Sequence, residues 1–178
     1  EVLFKNVNLN LAKGDKVVVY SKDSRATTAF YEILNGKQNA LEGKYEWGVT
    51  TNQSYLPVDN QEFFDNELTL VDWLRQYAKT EQEREEVYLR GFLGKMIFSG
   101  EEALKTSNVL SGGEKVRCML SRMMIQRANV LMFDEPTNHL DLESITAINN
   151  SLKNFKGTIL LTTSDHEFAQ TVGNRIVE

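Results

Sequence analysis

The segment Asn108–Asp141, NVLSGGEKVRCMLSRMMIQRANVLMFDEPTNHLD, constrains the fold more than any other part of the chain. Ser111 stands where a helix cap is expected, and helical spacing runs on to about Arg127. An apolar strand follows over Val130–Phe133, ending in two adjacent carboxylates, Asp134 and Glu135. A helix, a buried strand and an acid-tipped turn in that order belong to an α/β fold.

The rest of the chain continues the alternation. Val17–Leu34 reads as a buried strand, a short turn and an amphipathic helix, closed by Asn35-Gly36. Upstream of it, the sequence alternates and turns at Lys13-Gly14-Asp15. Gly43–Pro57 has strand character, with Tyr45, Trp47, Val49 and Tyr55 set between turn residues. Leu68–Phe98 is mostly helical, and its charged run KTEQEREEVYLR is read as a solvated helix face. Ser144–Gly157 is a further helix, Thr158–Ser164 a strand, and Asp165 caps a short last helix. Strands separated by helices predict a mostly parallel sheet, with Leu68–Arg127 as a helical excursion.

Composition narrows the classes. The 178 residues carry 41% hydrophobic and 25% charged side chains, a globular rather than a disordered balance. The net charge of −5 gives no general footprint for nucleic acid. The single cysteine, Cys118, excludes an internal disulfide framework and fits a reducing, cytoplasmic setting. No apolar run approaches the roughly 20 residues that span a bilayer. The chain lacks an initiator Met and both ends read as cut strands, so an excised domain of a longer protein is expected.

Two blocks carry chemistry. Ser111 and Glu114 have capping-box spacing, which accounts for the serine and the glutamate. It does not account for Gly112 and Gly113, since a helical glycine costs about 0.5–1 kcal/mol relative to alanine. Bare amides and a serine hydroxyl at a helix start suit an anion. In the second block, Asp134 could hold Mg²⁺ through its water shell and Glu135 could polarise an attacking water. Met119, Met123, Met124 and Met132, with Cys118, Trp47 and Trp73, are read as packing residues.

LSGGE, about 20 residues of helix and strand, and then DEPTNHLD together resemble the nucleotide-binding domain of ATP-binding-cassette (ABC) proteins. The likeness is strongest to the second cassette of the soluble, tandem F subfamily (ABC-F) and covers nearly the whole chain. It implies a P-loop NTPase-like, mostly parallel sheet with an antiparallel β part and a helical signature subdomain over about residues 60–128, all within one domain. It also implies ATP and Mg²⁺ as cofactors, a second cassette as partner and, for many F-type members, work on the ribosome. Ser111, Gly112, Gly113 and Glu114 match the signature that serves ATP held by the partner cassette. Val130–Asp134 match the Walker B strand, Glu135 the catalytic base, and Asn138 to Asp141 the D-loop.

The domain's own site departs from the family pattern. Aligned to G-x-x-G-x-G-K-[ST], the Walker A glycines fall on Ser21, Ser24 and Ala26, and the lysine on Thr27. Only the Mg²⁺-binding hydroxyl is kept, as Thr28. The family's glutamine falls on Val58, with Gln61 available only through a slip, and its switch histidine falls on Ser164, next to Asp165 and His166. The resemblance therefore implies a cassette whose own site is impaired, with ATP and Mg²⁺ weak or absent there. A non-catalytic scaffold, a transporter subunit and an atypical loop that still hydrolyses ATP remain open. The retained Thr28, Asp134 and Glu135 favour the last.

Overall fold

The computed structural model describes residues 1–178. Five strands form one sheet: β1 (Lys16–Val19), β2 (Gln53–Leu56), β3 (Val130–Asp134), β4 (Thr158–Thr162) and β5 (Arg175–Val177). Their order is β2-β3-β4-β1-β5, and every neighbouring pair is parallel. All the C-terminal strand ends therefore lie on one edge, where Asp134 is in register with Thr162. Such an edge is where open α/β sheets place their ligands.

The strands alternate between two cores, as expected where a parallel sheet is covered on both faces. Val17, Tyr55, Met132 and Leu160 point to one side, against Tyr31 of helix α1 (Ser24–Leu34). Val18, Leu131, Phe133 and Leu161 point to the other, against helix α4 (Gly112–Ile125). This second core runs on through α2 (Leu70–Arg75) and α3 (Glu86–Lys95), by way of Trp73, Leu74, Leu89 and Leu93. Trp73 is fully buried, stacks on Phe64 at 5.0 Å and donates its indole N–H to the Phe63 carbonyl. Helices α5 (Leu142–Lys153) and α6 (His166–Val172) complete the order. Met119, Met123, Met132 and Cys118 are core residues, and burial pushes the Cys118 thiol up. No helix is long and apolar enough to cross a membrane.

Two expectations are corrected. The antiparallel β part is not formed as strands: residues 1–11 and 43–52 make no ladder, and only an isolated bridge, Thr69 to Thr106, is antiparallel. Alternation alone does not make a strand without a partner to pair with; Tyr45 and Val49 are exposed, and Trp47 instead reaches the Leu34 carbonyl. The charged run is not one solvated helix either. Residues 76–85 interrupt the helices, and Glu83 is buried, accepting from the Lys79 amide (2.7 Å) and from Arg127 (2.7 Å).

Candidate functional site

β1 delivers the chain to the acid-bearing edge, and the turn Tyr20–Asp23 leads into α1. A helix N-terminus with free amides is an anion site, but here Asp23 is the cap. Its Oδ1 accepts from the Arg25 amide at 2.9 Å, and its Oδ2 pairs with the Arg25 guanidinium at 2.8 Å. The Arg25 bonds hold the Asp23 carboxyl below its usual range. Arg25 also reaches Glu1. Thr27 is buried, with its hydroxyl turned back to the Ser24 carbonyl at 2.9 Å. Ser24 is exposed at the first helical position. Sequence reasoning missed Asp23, although the capping rule applied to Asp165 would have found it.

Across the edge, the Thr28 hydroxyl donates to Asp134 Oδ2 at 2.6 Å. Asp134 is buried, which raises its pKa against the opposing Thr28 hydrogen bond. Glu135 has a left-handed backbone (φ 50°), and its amide bonds the Thr162 carbonyl of β4. That turn aims its carboxylate at Ser164, which donates through both its amide (3.1 Å) and its hydroxyl (3.3 Å). The structure thus brings Thr28, Asp134, Glu135 and Ser164 to one edge. Val58 is exposed beyond β2, and Gln61 is engaged by Lys115 and Asp65. His166 is exposed in the first turn of α6, behind the Asp165 cap.

The signature lies at the start of α4. The capping box forms in full: the Glu114 amide donates to the Ser111 hydroxyl, and the Ser111 amide to the Glu114 carboxylate. Lys105 pairs with the other Glu114 oxygen at 3.2 Å. The two glycines differ. A Cβ on exposed Gly112 would meet only Leu140, at 3.9 Å. A Cβ on buried Gly113 would lie 2.5 Å from the Ser144 hydroxyl and 2.6 Å from Asp141 Oδ1. Gly113 is therefore needed by packing against the start of α5. There Asp141 caps the helix, accepting from the Ser144 amide and hydroxyl, which hold its pKa down. Buried Arg117 donates to Ser144 (3.1 Å) and to the Met96 carbonyl, tying the signature helix to the acidic-turn segment and to α3. Asn138 is exposed on the intervening turn.

The family model described as ABC transporter matches residues 4–138, from ahead of β1 to Asn138 in the turn after the acids. The chain belongs to that family, as an ATP-binding cassette. Among its relatives, the uncharacterized ABC transporter ATP-binding protein YkpA of Bacillus subtilis (strain 168) is 55% identical over 97% of the cassette and 32% of its own length. The probable ATP-binding protein YbiT of Escherichia coli O157:H7 is 35% identical over 99% of the cassette and 33% of itself. ABC transporter F family member 5 of Arabidopsis thaliana is 25% identical over 100% of the cassette and 25% of itself. The cassette spans about a third of the length of the two bacterial relatives. In fold it is similar to a dimeric bacterial ABC transporter cassette, with a TM-score of 0.79 at 21% identity over 98% of this chain and 85% of that one.

Cassettes of this family bind ATP and Mg²⁺. In this one, Mg²⁺ fits the hard oxygens of Thr28 and Asp134, since the ion uses few carboxylates and keeps several waters. At the amide end of α1, the Arg25 N–H is taken by the Asp23 carboxylate.

Proposed function

We propose that this cassette acts through its signature face, and that its own nucleotide site binds ATP weakly and without turnover. One observation carries the reading: Asp23 puts the chain's own carboxylate on the Arg25 amide in the first turn of α1, where phosphate would sit. Two further features support it. Thr27 supplies no positive charge, and Ser21, Ser24 and Ala26 add Cβ atoms where close backbone approach is needed. A fixed cation beside the phosphates contributes both binding and transition-state stabilisation. Ser111, Gly112 and the α4 amides would instead meet ATP held by a second cassette, with Asn138 and Asp141 at the shared interface. Gly113 would keep that face in shape. Turnover by the pair and work on the ribosome in the cytoplasm are proposed from the F-type resemblance.

A second reading is favoured by the Thr28–Asp134 pair and the Glu135–Ser164 contact, which keep the metal and base positions assembled. In that reading Asp23 swings away and the loop hydrolyses ATP. Equilibrium binding of ATP·Mg²⁺ separates the two. We expect no saturation at micromolar ATP for the chain or for Thr27→Lys alone. We expect micromolar binding once Ser21, Ser24 and Ala26 become Gly, Asp23 becomes Asn and Thr27 becomes Lys together. Tight binding and turnover by the unaltered chain would establish the second reading. Joined to a cassette with a complete phosphate loop, Gly112→Trp should abolish ATPase activity; unchanged activity would leave a docking scaffold.

A further inference from the structure

A cavity of about 370 Å³ opens beside β2, the edge strand of the sheet. None of the residues at the phosphate loop, the acidic turn or the signature lines it. Three cations reach it from separate parts of the chain: Lys37 after α1, Lys79 after α2, and Arg122 on α4. No Asp or Glu lines it, a local inversion of sign in a chain of net charge −5. None of the three cations forms an ion pair.

Arg122 is the least exposed of them. Its guanidinium lies between the rings of Phe63 and Tyr77, 4.8 Å from each centroid, and its Nε is buried with no hydrogen-bond partner. Buried donors are normally paired, so an orphan beside a polar cavity asks for an acceptor. A guanidinium fixed between two rings is pre-organised for an oxyanion, and Arg is suited to the planar recognition of phosphate. Burial lowers the Arg122 pKa against an opposing interaction with Tyr77, and a nearby anion would further stabilise its charged form. Gln53 and Gln126 line the same space with side-chain amides that no protein group engages, and Lys37 lies over the Tyr55 ring, 5.8 Å from its centroid. The volume lies in the range of roughly 300–1,000 Å³ of small-molecule sites.

We propose that this cavity binds the phosphate of a nucleotide unit, with Arg122, Lys37 and Lys79 on the phosphate and Gln53 and Gln126 on the hydrogen-bonding edges of the sugar or base. The unit is either a free mononucleotide or one residue of a single-stranded RNA; the recognising chemistry is the same. This site is distinct from the ATP positions of the cassette and does not depend on them.

The test is a titration of the chain, without Mg²⁺, with inorganic phosphate, AMP and a short single-stranded oligoribonucleotide. The Arg122 Nε–H resonance is followed by ¹⁵N-edited NMR. A saturable shift is expected with AMP, at higher affinity than with phosphate. Affinity should fall about tenfold or more in Lys37→Glu/Lys79→Glu, since both side chains are exposed and carry charge rather than packing. No further gain with the oligoribonucleotide identifies a free nucleotide. A further gain that weakens steeply with salt identifies the RNA strand. The proposal is overturned by the absence of a saturable shift with all three probes, by equal affinity for phosphate and AMP, or by binding that survives the double charge reversal.

Discussion

Replacing each signature glycine by alanine should separate their two jobs. At Gly112 the new methyl finds one neighbour at ordinary contact distance. Alanine is the better helix former, so Gly112→Ala is expected to leave stability unchanged or to raise it by about 0.5 kcal/mol. At Gly113 the methyl would overlap the Ser144 hydroxyl at 2.5 Å, Asp141 Oδ1 at 2.6 Å and Ser144 Cβ at 3.0 Å. All three atoms belong to side chains engaged with one another and with Arg117, so none can move without releasing a hydrogen bond. Overpacking of this kind costs about 1–3 kcal/mol, only partly offset by the helix preference of alanine. With a urea m-value of about 2 kcal/mol/M, a loss of about 2 kcal/mol lowers the midpoint by about 1 M at unchanged slope. Gly113→Ala/Ser144→Gly should recover part of the loss, because the clashing side chain is gone. Equal midpoints for Gly112→Ala and Gly113→Ala would refute the packing account and return both glycines to ligand contact alone.

Burial raises the Asp134 pKa above its ordinary 3.8, so the folded chain holds that proton more tightly than the unfolded chain. Ionised Asp134 therefore destabilises the fold at neutral pH, and the penalty vanishes as pH falls below 3.8. Asp134→Asn should raise stability at pH 7 by on the order of 1 kcal/mol, with the gain shrinking toward acid in a series of thermal melts; a less stable variant at pH 7 would contradict this. Glu83→Ala leaves the Lys79 amide without its acceptor and should cost about 1–3 kcal/mol by chemical denaturation. Glu83→Gln, which keeps an acceptor, should cost less, and equal losses would show that the charge matters rather than the bond.

Features set by neighbours in the chain were legible in the sequence. The Ser111–Glu114 box, the apolar run of β3, the Asn35-Gly36 stop and the Asp165 cap each depend on residues within a few positions. Features set by distant approach were not. Gly112 and Gly113 look alike locally, and only the arrival of α5 makes one a packing requirement. Glu83 sits in a run of charge that predicts solvent, yet Arg127, a long way along the chain, makes it an interior group. The alternation of residues 43–52 has a strand's period but no strand beside it. At the site, the order Thr28, Asp134, Glu135 could be read from motifs. The Ser164 hold on Glu135 needed the register of β3 against β4.

The strand order has a consequence for how the protein is made. β1 is the first of the five strands in chain order, yet it lies between β4 and β5, the last two. Val17 must wait for Leu160 and Arg175 before its ladder can close on either side. During synthesis β1 therefore stays an unpaired apolar strand until β4 and β5 have followed it, and the centre of the sheet assembles in one late step. Long-range parallel pairing of this kind folds slowly and is exposed to aggregation while it waits. Until Arg175 emerges, the cover for Val17 that already exists in the chain is Tyr31 of α1, its neighbour in the folded core.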